Sequence, residues 1–280
     1  MAETVSGASE SGEKRGERTG DTSCRLAVFF FLLYHEYSCA MKLTTTDGRT
    51  VPVTQIFGIG RNYAAHAHEQ GLEAPDHPMV FAKNIASVIG DGEDIVIPPI
   101  ARDPGFGGNQ TDFEAELAVV IGVHSGGDLC RDMVGEDALD CVLGYACAND
   151  VSARWWQKQG SGGQFCRGKG FDTFCPIGPR IVTPGELRDA GLDVDDLKIE
   201  CRINGETMQS ARTSQMMFSV ATLIEELSKG TTLMPGTVIL TGTPSGVGMA
   251  RDPQVWLQDG DTVEVEIEGI GVLHNGVRFG

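Results

Sequence analysis

Thr111-Asp112-Phe113-Glu114-Ala115-Glu116-Leu117-Ala118-Val119-Val120-Ile121-Gly122 is the stretch around which the chain is organised. Its apolar second half has strand character, and its first half carries acids. Side chains alternate faces along an extended backbone, so Glu114 and Glu116 project from one face, with room for Asp112 beside them. Neighbouring carboxylates repel and destabilise a fold unless a cation or a shared proton neutralises them. An all-oxygen set with no Cys or His beside it suits a hard dication, Mg2+ or Mn2+, in preference to zinc. An isolated pair of this kind would ordinarily lie on a solvated strand face. The segments on either side decide against that.

The 280 residues include 41% hydrophobic content, enough for a sizeable core. A net charge of −17 argues against nucleic acid or an anionic membrane as partner, because phosphate contacts need clustered Lys and Arg. Eight Cys with no C-x-x-C spacing and six scattered His make no zinc ribbon or redox motif, leaving reduced, buried thiols as the expectation. The 37 Gly and 12 Pro indicate many turns and a largely β architecture.

Residues 1 to about 23 are mostly Gly, Ser, Thr and charge, a composition that stays disordered. An apolar run of nine follows at 26–34, too short to span a bilayer as a helix. The acids ahead of it, from Glu3 to Asp21, argue against a secretory signal and an organelle transit peptide. We read Met41 as opening the functional domain, with 1–40 a disordered or spurious extension and 41–280 a single catalytic domain. Location stays open between cytoplasm and mitochondrion.

From Met41 the pattern is short strands and tight turns: a hairpin over 41–53, a strand over 55–60, and a short Ala-rich helix over 61–69. That helix places His66 and Glu69 on one face, where the carboxylate could orient the imidazole as a general base; an incidental surface pair is the alternative. Strands are predicted at 79–82 and 94–97, a helix at 136–142, and a strand at 143–148 that delivers Asn149-Asp150. Helical character at 152–158 carries Arg154 and Gln157, and Lys169 follows a Gly/Ser loop. A hairpin turns at Asn204-Gly205, Ser219 caps a helix over 220–227, and 261–268 pairs with 271–277. The strand at 238–241 opens into a Gly242–Gly248 loop whose N–H groups and Thr hydroxyls could nest an anion, unless the loop is simply a tight turn. Lys169, Lys83, Arg61 and Arg154 are cations in an acidic chain, each alone readable as a solvated charge, while Trp155 and Trp156 read as packing.

Taken together these segments resemble the fumarylacetoacetate hydrolase family, and most closely its eukaryotic domain-containing members. The resemblance rests on Gly60-Arg-Asn-Tyr-Ala-Ala-His66-Ala-His-Glu69, Phe81-Ala-Lys83, Asp112-Phe-Glu114-Ala-Glu116, Asn149-Asp150 through Arg154 to Gln157, Lys169-Gly-Phe-Asp172, Asn204-Gly-Glu206 and Thr241-Gly-Thr-Pro-Ser-Gly-Val-Gly248, in order across about 55–277. It implies an α+β, mostly β fold, a mixed β-sandwich roll with short helices, in a homodimer. It further implies Mg2+ or Mn2+ on Glu114, Glu116 and Asp150. His66 and Glu69 would be catalytic on a mobile lid, with Lys169 stabilising charge and Arg61, Gln157 and Thr243 binding substrate. Arg154-Trp155-Trp156-Gln157 departs from the family's acidic or small residue after the Arg, which leaves the pocket wall open. A small 2-oxo acid chelating the ion would yield a metal-bound pyruvate enolate on C–C cleavage. Acylpyruvate hydrolysis or oxaloacetate decarboxylation follows from that. Oxaloacetate keto–enol tautomerisation, and a non-catalytic dicarboxylate-binding protein, are the alternatives.

Overall fold

A computed structural model describes residues 41–71, 73 and 75–280, so the expectation for 1–40 lies outside the described residues. The chain runs β1 (Lys42–Thr44), β2 (Thr50–Pro52), β3 (Gln55–Gly60), α1 (Ala64–Glu69), β4 (Met79–Ala82), β5 (Val88–Ile89), β6 (Ile95–Ile97), α2 (Pro99–Arg102), β7 (Thr111–Asp112) and β8 (Ala115–Ile121). It continues through β9 (Val142–Asn149), β10 (Ser152–Ala153), α3 (Arg154–Lys158), α4 (Cys166–Lys169), β11 (Cys175–Val182), α5 (Pro184–Asp189), β12 (Lys198–Ile203), β13 (Glu206–Arg212), α6 (Val220–Ser228), β14 (Thr237–Leu240), β15 (Thr262–Ile267) and β16 (Gly271–Phe279).

Two mixed sheets carry the fold. One has seven strands in the order β4-β3-β14-β8-β9-β11-β5; the other has five, β13-β12-β15-β16-β6. In the first, β14 runs parallel to β3 and antiparallel to β8, which puts β8 near the centre. All seven residues of β8 are buried, so both its faces are covered. Leu117, Val119 and Ile121 enter the larger core, shared with Ile199, Cys201, Val263, Val265 and Leu273 of the second sheet. Ala118 and Val120 point the other way, into a smaller core with Ile56, Ala146, Ile177 and Leu240, to which Leu43 of β1 adds. The mostly β architecture is the one the composition predicts, and its sandwich-like arrangement with short helices is the one the family resemblance implies.

Four details differ from the expectations. The helix predicted at 136–142 is a 3-10 turn over Gly135–Cys141. β11 was hidden because Pro176, Gly178 and Pro179 break any strand pattern; it pairs with β9 only through a register shift between Gly178 and Val182. α5 carries a capping box, Thr183 with Glu186, a readable signal that was passed over. Among the described cysteines, five are buried as expected, whereas Cys166 is exposed on α4.

Candidate active site

Strand pairing assembles the acids. β8 and β9 run antiparallel with Ala115 opposite Asn149 and Glu116 opposite Ala148, so the start of one strand meets the end of the other. Just past the ladder the Asp150 N–H donates to the Glu114 carbonyl at 2.9 Å. Where the ladder stops the Asn149 side chain takes over, its Oδ1 accepting the Glu114 N–H at 3.0 Å. Glu114, Glu116 and Asp150 each present a carboxylate oxygen within 4.8 Å of the other two, at exposures of 5%, 1% and 0%. Asp112 does not join them, because the strand is interrupted at Phe113–Glu114. Its carboxylate accepts the N–H groups of Gly248 at 2.7 Å and Met249 at 3.0 Å and pairs with Arg154 at 2.8 Å. It anchors the Gly242–Gly248 loop to the floor of the site.

Three buried cations face these four buried acids. Lys169 Nζ lies 2.7 Å from Glu114 and also bonds Asp150. Lys83 Nζ donates to Asp150 at 2.6 Å and to the Phe174 carbonyl at 2.9 Å. Arg154 reaches Glu114 at 2.7 Å. Lys169 arrives on α4, which packs so closely on α3 that a Cβ at Gly168 would lie 2.3 Å from the Gln157 backbone nitrogen. Only glycine permits that approach.

The charges are unevenly matched. Burial works against the Glu114 carboxylate, but Lys169 and Arg154 beside it overcome that and hold its pKa down at about 2. Burial also works against the Lys169 ammonium, which Asp150 and Glu114 nevertheless keep above its ordinary value. Glu116 lacks such a partner: burial first, then the charges of Asp150 and Glu114, push its carboxyl well above the usual range. The Gly242 N–H, 2.7 Å from its Oε2, opposes this only weakly. With Glu116 ionised, four acids against three cations leave one negative charge in excess, the charge that its raised pKa resists. A hard dication fits both that excess and the all-oxygen donor set.

The opposite wall is α1. His66 is 4% exposed, and its Nδ1 lies 2.6 Å from Glu69 Oε1. The other Glu69 oxygen accepts the Gly246 N–H at 2.9 Å, seating the helix on the Gly242–Gly248 loop. Gln70 Nε2 approaches His66 Nε2 at 2.8 Å. An amide nitrogen can only donate and a carboxylate can only accept, so these two bonds assign the proton to Nδ1 and the lone pair to Nε2. That is the tautomer of a base ready to accept a proton.

Between floor and wall lies a narrow cleft lined by Arg61, His66, Glu114, Gln157, Lys169 and Thr243 among others. Arg61 stands at φ 58°, a left-handed conformation unusual outside glycine, at the cleft's rim. The Gln157 Oε1 accepts from Arg154 at 3.0 Å, so its NH2 is the end left for a ligand. Thr243 Oγ1 accepts from Gln209 Nε2 at 2.8 Å. Trp155 and Trp156 pack against Phe106 with tilted rings at 5.1 and 5.0 Å and do not line the cleft. The structure therefore brings Glu114, Glu116, Asp150, His66, Glu69, Lys169, Arg61, Gln157 and Thr243 around one cleft and leaves Asp112 outside the acid cluster. Sequence reasoning missed Gln70, whose only signal is its place four residues after His66, and Gln209, which had none.

Residues 55–278 match the family described as fumarylacetoacetate (FAA) hydrolase C-terminal. The human protein named oxaloacetate tautomerase FAHD2A, mitochondrial, is 43% identical over 229 residues, covering 81% of this chain and 68% of that protein. A crystal structure of fumarylpyruvate hydrolase from Pseudomonas aeruginosa, in complex with Mn2+ and pyruvate, superposes with a TM-score of 0.72 at 29% identity, covering 86% of this chain and 97% of the other. The 2-hydroxyhepta-2,4-diene-1,7-dioate isomerase from Mycobacterium marinum gives a TM-score of 0.66 at 39% identity over 83% and 79% of the two chains. Matched over most of its length in sequence and in fold, the chain belongs to the fumarylacetoacetate hydrolase family.

Proposed function

We propose that this protein is a divalent-metal-dependent enzyme acting on a small 2-oxo acid, and that its reaction is the keto–enol interconversion of oxaloacetate. The observation that carries this reading is the buried His66–Glu69 pair set across a narrow cleft from Glu114, Glu116 and Asp150. Those three residues would hold Mg2+ or Mn2+, which when bound supplies Lewis-acid stabilisation of charge on the keto oxygen. His66 Nε2 takes a proton from the carbon beside the keto group and returns it to the oxygen side of the system. Glu69 keeps Nδ1–H aligned and offsets the imidazolium charge. Lys169 and the free NH2 of Gln157 stabilise negative charge on the substrate oxygens, and Arg61 and the Thr243 hydroxyl receive a carboxylate. A dication turns the single excess negative charge into a single positive one, which suits a dicarboxylate.

Relatives weigh narrowly toward tautomerisation: the bovine and human proteins named for that activity are 43–44% identical, against 40% for the fumarylacetoacetate hydrolase from Exiguobacterium antarcticum and 29% for the fumarylpyruvate hydrolase. This reverses the order expected from the sequence, where hydrolysis and decarboxylation came first. Acylpyruvate hydrolysis is kept as the second reading because His66 could equally activate a water, and because of the likeness to a hydrolase at TM-score 0.72. A purely binding role would leave the His66–Glu69 pair without employment. A mitochondrial location, the word the relatives' names carry, and assembly as a homodimer, expected from the family resemblance, complete the reading; cell fractionation and light scattering test them.

The deciding experiment strips the purified protein of metal, reloads it with Mg2+ or Mn2+, and follows oxaloacetate enol absorbance and pyruvate release in parallel. Metal-dependent loss of enol without pyruvate is the expected result. Pyruvate formed in step assigns decarboxylation, and turnover confined to acylpyruvates assigns hydrolysis. No metal-dependent effect on any of them removes the enzyme reading.

A further inference from the structure

We propose that Gln209 is a positioning residue of this site: it fixes the Thr243 hydroxyl as a donor toward the substrate carboxylate and seats the loop on which Glu69 rests. The inference rests on the role given above to Thr243. Gln209 belongs to β13, at the edge of the second sheet, remote in sequence from every other site residue. Across β12 the register is Cys201 opposite Gln209, then Arg202 opposite Thr207, so Met208 is the extra residue of a β-bulge. A bulge re-aims the side chain next to it. Here it turns Gln209 inward to 1% exposure while Glu206, Thr207 and Ser210 stay exposed.

The orientation of the Gln209 amide is fixed by its partners. Oε1 accepts the Ala115 N–H at 3.0 Å, a group that only donates, and Nε2 donates to the Pro244 carbonyl at 2.8 Å, a group that only accepts. The second Nε2 hydrogen goes to Thr243 Oγ1 at 2.8 Å. With Oγ1 already an acceptor there, the Thr243 proton is left for another partner, and Thr243 lines the cleft. Ala115 lies between Glu114 and Glu116, so one buried side chain ties the strand bearing the acids to the loop over the substrate. The bulge backbone adds a second tie. A Cβ on Gly246, at φ +105°, would lie 2.3 Å from the Met208 carbonyl, and the Gly246 N–H is the one that Glu69 accepts. The loop therefore sits directly on the bulge, and the lid carboxylate sits on the loop.

Gln209→Met keeps the side-chain volume and removes all three hydrogen bonds. The expected result is a KM for the 2-oxo acid raised about 10- to 100-fold, the range that unpaired buried partners produce, with Mn2+ affinity by calorimetry within about threefold of wild type. Combined with Thr243→Val, the loss should be non-additive, within about twofold of the worse single variant. Amide exchange should quicken at Ala115, which loses its acceptor, and in residues 242–248, and stay unchanged in 116–121. An unchanged KM, additive losses, or a collapse of Mn2+ affinity would each overturn the inference, the last by showing that Gln209 serves the strand and not the loop. Gln209→Asn, one methylene shorter, undergoes the same measurements if the Met variant fails to fold. The exchange and Mn2+ arms need no turnover, so they still decide the seating of the loop if wild type proves inactive on every 2-oxo acid.

Discussion

Glu116 lies in a strand buried along its whole length and flanked on both sides by other strands, whereas Glu69 ends a six-residue helix and reaches the loop beneath it through one backbone amide. The two acids serve one site under opposite mechanical conditions. A helix of six residues has almost no stability of its own and persists only through its contacts. The floor must hold like charges together, which needs a frame whose alternatives are all worse. The proton-transfer wall must let substrate in and product out, which needs contacts that can be broken. Floor substitutions should therefore disturb metal binding and folding, and wall substitutions should disturb rate alone.

The largest expected effect is on the floor. Glu116→Ala should abolish divalent-ion dependence and lower turnover at least about 1,000-fold, in keeping with the loss of metal-ion catalysis, while circular dichroism still reports a folded chain. Residual Mg2+-dependent turnover near wild type would remove the metal role of the triad. Next comes Asp112→Ala, which leaves Arg154 with Glu114 and Gln157 alone and frees the Gly248 and Met249 N–H groups. Breaking a buried pair on one side costs about 3–5 kcal/mol, to be read as a shift in urea midpoint at constant slope. A shift under about 1 kcal/mol on the same scale would mean the floor is less rigid than its burial implies. Glu69→Gln tests the wall: kcat should fall about 100-fold, within the range of general-base catalysis, with the urea midpoint almost unmoved. An equal loss of stability would erase the distinction between the two regions.

Much of this contrast was legible before the fold. Glu114 and Glu116 announced themselves because Glu114-Ala-Glu116 brings unfavourable charge to the end of a strongly apolar segment, a local conflict that implies a compensating ligand, whereas Asp150 joined them only through the family resemblance. His66 and Glu69 could be placed on one face by helical spacing alone. Asp112 was left open beside the pair because strand alternation assumes an unbroken strand, whereas the strand breaks at Phe113–Glu114, where the Asn149 side chain accepts the Glu114 N–H. Gln209 was invisible for a similar reason. Its inward turn comes from a bulge whose cause is the register across two strands, information that no single segment contains. β11 was lost to its own prolines, which are tolerated because Gly178 and Pro179 fall where the ladder is already irregular.

The smallest expected effect is the sharpest test of how the wall works. Gln70 donates to the lone pair that the proposed role of His66 requires, at 2.8 Å. A substrate must displace this amide before its proton can move, so the bond stabilises a resting state and not the reaction. A hydrogen bond of this kind contributes about 0.5–1.5 kcal/mol, and its removal from the ground state alone raises kcat/KM by about two- to tenfold. Gln70→Ala should therefore be slightly faster than wild type at low substrate, with no change in Mn2+ affinity. The contrary outcome, a fall in kcat/KM, would place Gln70 among the groups that hold the substrate. The wall would then contribute binding as well as proton transfer, and the separation of duties between strand and helix would hold for Glu69 but not for its neighbour.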